Sequence, residues 1–252
     1  LGQRLLGLVD GLMTTPVRFV ALPMFARLSA DDARFATAFA KSVAYAAVLT
    51  APIYLGLAAV APLLLPLVFG AGNGPPAVTT FQLLCLYGPP GVVVGLISQA
   101  FVSRGRADLA FSRTAMMFVL IAAACVGASF LSVEAVALAY TGVAGFIGLL
   151  PSLALVQRHC GVSVGAVVRL AGAPWLAATL MAGVVLPATL WSTAHHRTEI
   201  ESVMALAGCI ALGVATYGLA MLVVARREML AMVHRPAPGR RASNGLDRGG
   251  RR

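Results

Sequence analysis

Between Lys41 and Arg104 stand 62 consecutive residues without an aspartate, glutamate, lysine, arginine or histidine. One crossing of a hydrocarbon layer ~30 Å thick takes about 20 apolar residues, so this run is too long for one helical span and long enough for two. Gly70-Ala71-Gly72-Asn73-Gly74-Pro75-Pro76 divides it. Glycine supplies positive φ and proline lacks an N–H, and both stop a helix. The run therefore predicts two spans, near 42–68 and 77–102. Further uncharged runs at 114–133, 135–157, 170–194 and 202–225 are each 20 to 25 residues long and are bounded by charge or polar loops. They predict spans near 110–130, 135–157, 171–190 and 202–225. The first 28 residues are apolar apart from Arg4, Asp10, Arg18 and Arg27, and read as a more polar span near 5–27.

The expected fold is an all-α integral membrane protein of about seven transmembrane helices over residues 1–228. A basic tail, 229–252, follows; it holds few apolar residues after Met232 and reads as disordered and cytoplasmic. Transmembrane barrel strands would alternate apolar and polar residues over about 10 positions. Blocks such as AVALAYTGVAGFIGLL are apolar on all sides.

Composition supports this reading. Charged residues are 11% of the 252 and hydrophobic residues 59%, with a mean hydropathy of +0.87, whereas a soluble domain carries roughly 25% charge. A net charge of +10 would suit a nucleic-acid binder, but those interleave bases with polar and aromatic groups on an exposed face. Here the arginines flank apolar blocks, and no nucleic-acid partner is expected. Cys85, Cys125, Cys160 and Cys209 show no CxxC pairing or histidine at metal spacing, so they read as small packing residues.

Counting lysine and arginine at the loops orients the chain. Arg27, Arg34, Lys41, Arg104, Arg106, Arg113, Arg158, Arg169 and the eight arginines from Arg226 onward fall on one side, against Arg4 and Arg197 on the other. The C-terminus is then cytoplasmic and the GNGPP, SFLSVE and HHRTEIE loops are outside. The visible N-terminus also falls outside, which suits a fragment preceded by at least one more crossing. The tail arginines would enforce topology and attract anionic lipid.

No hydrolase elbow, phosphate loop or HExxH occurs, and the chain is not expected to be an enzyme. His195-His196 beside Glu199 and Glu201 reads as a solvated loop rather than a metal site. The informative polar residues lie in the first span. A charge inside hydrocarbon is costly and should face a partner or a water-filled cavity. At ~100° per residue, Arg4 and Arg18 are about 40° apart on one face and Asp10 is about 80° from Arg18. Arg4, Arg18 and Asp10 are therefore the cavity candidates for binding an anionic substrate. The other reading is that Arg4 snorkels to the interface while Arg18 pairs with Asp10 or with an acid elsewhere.

Prolines inside apolar blocks (Pro16, Pro23, Pro52, Pro62, Pro66, Pro89, Pro90, Pro151, Pro174 and Pro187) bend helices, as a transporter can use. Gly91 and Gly95 form GxxxG, and Gly142, Gly145 and Gly148 make a small face suited to close packing. Gln82, Gln99, Ser98, Tyr87 and Tyr140 are secondary polar candidates, with packing or interface anchoring the commoner role.

The order of these landmarks resembles the C-terminal part of polysaccharide flippases of the multidrug, oligosaccharidyl-lipid and polysaccharide exporter superfamily. The resemblance runs through QRLLGLVDGLMTTPVRFVALPMFARLSADDARF, PIYLGLAAVAPLLLPLVFGAGNGPPAVTTFQLL, SRGRADLAFSR and VEAVALAYTGVAG, over about residues 1–230. It implies a transporter of 12 to 14 helices in two lobes around a cavity, of which this chain would be most of the second. The missing N-terminal lobe would then be a partner. An arginine of the helix matching the first span would hold the substrate diphosphate. Arg4 matches it by lying 19 residues before Pro23; the family's Leu-Pro after that arginine is absent here, which leaves Arg18 as the second candidate. The expected activity is translocation of polyprenyl-diphosphate-linked sugars across the bacterial cytoplasmic membrane by alternating access. No cofactor is expected beyond coupling to an ion gradient or membrane potential. A drug or metabolite antiporter of the same superfamily would need more intramembrane acids than Asp10, and a non-transporting truncated membrane protein is the other alternative.

Overall fold

The computed structural model describes residues 25–26, 31–70, 75–195 and 199–233. Six helices among them are long and apolar enough to cross a membrane. They are α1 (Asp32–Phe69), α2 (Pro75–Ser103), α3 (Ala107–Ser129), α4 (Val133–Cys160), α5 (Val164–His195) and α6 (Glu199–Val233), with a π-helical stretch, Thr141–Ile147, inside α4. The all-α membrane class expected from the sequence is what the described residues adopt. The span expected near 5–27 lies outside the described residues, apart from helical Phe25 and Ala26.

Every helix is longer than its uncharged run. α1 starts at Asp32 instead of near 42 because Asp31 caps it, its carboxylate accepting from the N–H groups of Ala33 (3.1 Å) and Arg34 (3.0 Å). At 1.5 Å per residue its 38 residues reach about 57 Å, so the turns carrying Arg34 and Lys41 extend past the hydrocarbon. Ser132 caps α4 in the same way, accepting from Ala135 N–H at 3.1 Å. α6 likewise runs on to Val233, past the start of the expected tail at 229.

α1 is the centre of the molecule. It packs on α5, α2 and α6, while α2 turns its far side to α4 and α3. One core cluster joins Phe35 and Phe39 of α1 to Phe101 of α2, Ala110 of α3, Cys160 of α4 and Val167 of α5, and so gathers alternate helix ends at one end of the bundle. Arg104 bonds Asp32 there and lies over the Phe35 ring at 4.2 Å. Arg106, Arg158 and Arg169 share that end by sequence, whereas the described carboxylates at the opposite helix ends are Glu134, Glu199 and Glu201. Gly105, at φ 69°, makes the α2–α3 turn there in a conformation that favours glycine. The outer helices α3 and α6 leave large apolar side chains bare, among them Phe111 (77% exposed), Phe118, Met204 and Leu222. A water-exposed surface would not carry such a band; lipid would cover it.

The prolines of α1 explain how it is tied to its neighbours. Pro52 and Pro62 have no N–H to give the carbonyls four residues earlier, Val48 and Ala58. Both carbonyls are taken by side chains from other helices. The Tyr217 hydroxyl of α6 donates to Val48 O at 2.8 Å, and Gln82 Nε2 of α2 donates to Ala58 O at 2.9 Å. Lipid offers no substitute partner, so these two bonds supply what the helix lost. The Thr189 hydroxyl of α5 adds a third tie, donating to Ala59 O at 2.9 Å.

Candidate functional site

Arg4, Asp10 and Arg18, the cavity candidates of the first span, lie outside the described residues. The secondary candidates resolve one by one. Gln82 is the partner of the carbonyl freed by Pro62, a packing role. Tyr87 and Tyr140 meet edge to face with ring centroids 5.1 Å apart, which joins α2 to α4. Gln99 is half-buried. Of the histidine and glutamate group, His196 lies outside the described residues, and Glu201 is exposed.

The glycines divide as well. A Cβ on Gly88 would fall 2.2 Å from Cδ1 of the buried Tyr54, so it is Gly88 that lets α1 and α2 approach closely. Gly91, of the GxxxG, faces Tyr87 of its own helix instead. Gly145 packs on Pro90 and Gly148 on Met117, while Gly142 faces open space.

Ser98 has a more specific task. Its Oγ accepts from Arg113 Nη2 at 2.7 Å while donating to Val94 O at 3.2 Å. Ser152 of α4 repeats the arrangement, accepting from Arg113 Nη1 at 3.1 Å and donating to Gly148 O at 2.6 Å. Arg113 is thereby held between three helices and is only 7% exposed. It borders a cavity of about 220 Å³ with Tyr87, Val94, Thr114, Met117 and Gly148. Sequence reasoning placed Arg113 among the loop charges. The signal that could have found it is that α3 starts just after Gly105, which puts Arg113 almost two turns inside the helix.

A second cavity, about 570 Å³, lies between α1, α5 and α6. Pro52, Val60, Met181, Val185, Leu206 and Val214 are among its lining, and no charged side chain is. Tyr217 also reaches it, but its hydroxyl is spent on Val48 O. Chemically this space suits a hydrocarbon chain.

Comparison with known proteins agrees with this architecture. Residues 1–72 match a family model described as "Polysaccharide biosynthesis protein". No protein of curated description matches the sequence. Among solved structures, the lipid II flippase MurJ in its inward closed conformation is similar over 90% of this chain, with a TM-score of 0.66 and 16% sequence identity. The match takes in 46% of that structure, so this chain spans about half its length. Both findings support the resemblance read from the sequence: the family model ties residues 1–72 to polysaccharide biosynthesis, and the structural match shows a shared fold.

Proposed function

We propose that this chain forms one lobe of a translocator that carries polyprenyl-diphosphate-linked sugars across the bacterial cytoplasmic membrane. The observation that carries the reading is that the segment matching the polysaccharide biosynthesis family, residues 1–72, is the one holding Arg4, Asp10 and Arg18. Charge-assisted contacts from Arg4 and Arg18 compensate the diphosphate in the central cavity, and Asp10 orients or tunes them. The uncharged cavity between α1, α5 and α6 offers room for part of the lipid chain, which never has to leave an apolar environment. The missing lobe supplies the rest of the cavity, and the two lobes rock about the site in alternating access, coupled to an ion gradient or the membrane potential. No bond of the substrate is made or broken, so the chain transports and does not catalyse. The C-terminus is cytoplasmic, on the side of the arginine-rich end.

The acidic positions among the described residues, Asp31, Asp32, Asp108, Glu134, Glu199, Glu201 and Glu228, all stand near helix ends in the chain, which favours an anionic substrate over a cation antiporter. The test is expression of the full-length protein in a strain lacking its own polysaccharide flippase. Surface glycan is expected to return with the wild type and to be lost with Arg4→Gln plus Arg18→Gln; unchanged export in the double variant overturns the assignment.

A further inference from the structure

Arg113 is a permanent cation in the part of the fold that lipid surrounds. Its two side-chain hydrogen bonds go to serine hydroxyls, and it forms no ion pair among the described residues. Both hydroxyl protons are already committed to backbone carbonyls, Val94 O and Gly148 O, so the serine oxygens receive from the guanidinium and hold it in one orientation. Two hydroxyls do not neutralise a buried charge. Nε is buried and has no hydrogen-bond partner. A guanidinium carries five N–H donors in a planar fork, and Nη1 and Nη2, with one bond each to serine, both keep a second N–H for a ligand.

The space beside it is built rather than accidental. Small residues, Ala144 and Gly148, open the α4 wall. Gly148 leaves room for the Met117 side chain, since a Cβ there would fall 2.7 Å from Met117 Sδ. The resulting volume of about 220 Å³ far exceeds the ~10–15 Å³ that one water requires. Arg113 is six residues beyond Ala107, so its Cα lies about 9 Å along α3 from the arginine-rich end, within reach of interfacial anions.

We propose that Arg113, braced by Ser98 and Ser152, is an anion site that takes a phosphate group in the cavity between α2, α3 and α4. The shared chemistry is a tetrahedral oxyanion accepting from a fixed guanidinium fork; its source is either a lipid headgroup or free phosphate. The site is distinct from the first-span charges and does not depend on the translocation reading.

The test uses the full-length protein, delipidated in a neutral detergent at constant ionic strength. Its melting temperature is followed against inorganic phosphate in one arm and against short-chain phosphatidic acid in the other, with chloride as the reference. A saturable rise with inorganic phosphate identifies a free anion; a rise with phosphatidic acid alone identifies a lipid phosphate. Arg113→Gln is expected to weaken that binding by about tenfold or more, the loss of one charge-assisted hydrogen bond, and Arg113→Lys to restore part of it. Val94→Phe fills the cavity from α2 while leaving the charge of Arg113 in place and is expected to abolish binding, so it decides the matter if Arg113→Gln does not fold. No saturable rise with either probe, or equal rises in the wild type and in Val94→Phe, overturns the proposal.

Discussion

The two sides of α1 and α2 enclose cavities of opposite chemistry. On the α5–α6 side, about 570 Å³ is lined without a charge, and its one phenol is turned to the Val48 carbonyl. On the α3–α4 side, about 220 Å³ is bordered by a buried arginine whose partners are neutral hydroxyls. Both lie in one apolar bundle, so the difference does not come from overall composition. It comes from where hydrogen-bonding capacity is left over. On the α5–α6 side the carbonyl freed by Pro52 has found its donor in Tyr217, and the cavity there is lined without a charge. Around Arg113 donors exceed acceptors, which is the basis for proposing an anion on that side.

An added carboxylate separates the two sides most sharply. Val185→Asp, in the uncharged cavity, is expected to cost about 3 kcal/mol, as for an aspartate near the middle of a membrane helix. Val94→Asp borders the Arg113 cavity and gains a charge-assisted hydrogen bond, so its penalty should be smaller by about 2 kcal/mol. Unfolding in mixed micelles measures both, and equal penalties would break the comparison. Gly88→Ala comes next: its Cβ has no room against Tyr54, and overpacking of this kind costs about 1–3 kcal/mol. A wild-type midpoint in that variant would contradict the close approach of α1 and α2 at Gly88.

The smallest effect sharpens the account of the proline-freed carbonyls. Tyr217→Phe should cost about 1 kcal/mol, the usual size of an interhelical side-chain bond in a membrane. In a Pro52→Ala background the backbone N–H at position 52 can take Val48 O itself, and the same change should then cost much less. A double-mutant cycle reads that coupling directly. The parallel cycle pairs Gln82→Leu with Pro62→Ala, and strict additivity in both would remove this explanation of how α1 is tied in.

Much of this was legible in the chain. The 62-residue uncharged run and the GAGNGPP turn fixed the first helix pair, because span length and helix-stopping residues are local properties. Helix ends were less legible. Asp31 extends α1 by capping it, and a charged cap outside hydrocarbon does not interrupt a helix. The ties of α1 could not be read at all, since Gln82 and Tyr217 lie 24 and 169 residues from their acceptors. The prolines announced that carbonyls would be freed; only packing shows which side chain reaches each. Arg113 went unnoticed for a related reason. Beside Arg104 and Arg106 it looked like one more loop charge, and its burial depends on serines 15 and 39 residues away. Arg4, Asp10 and Arg18 were singled out by the rarity of charge in an apolar segment, and their part in transport stands as the proposal made above.

The central claim, that this fold moves a lipid-linked diphosphate, is tested most directly in vesicles. Full-length protein is reconstituted with a fluorescent polyprenyl-diphosphate sugar, an ion gradient and a membrane potential are imposed, and the fraction reachable by a membrane-impermeant quencher is followed in time. The account predicts that protein-dependent exposure of the inner-leaflet pool disappears when Arg4 and Arg18 are both changed to glutamine. Exposure no faster than in protein-free vesicles, or equally fast in the double variant, would contradict it.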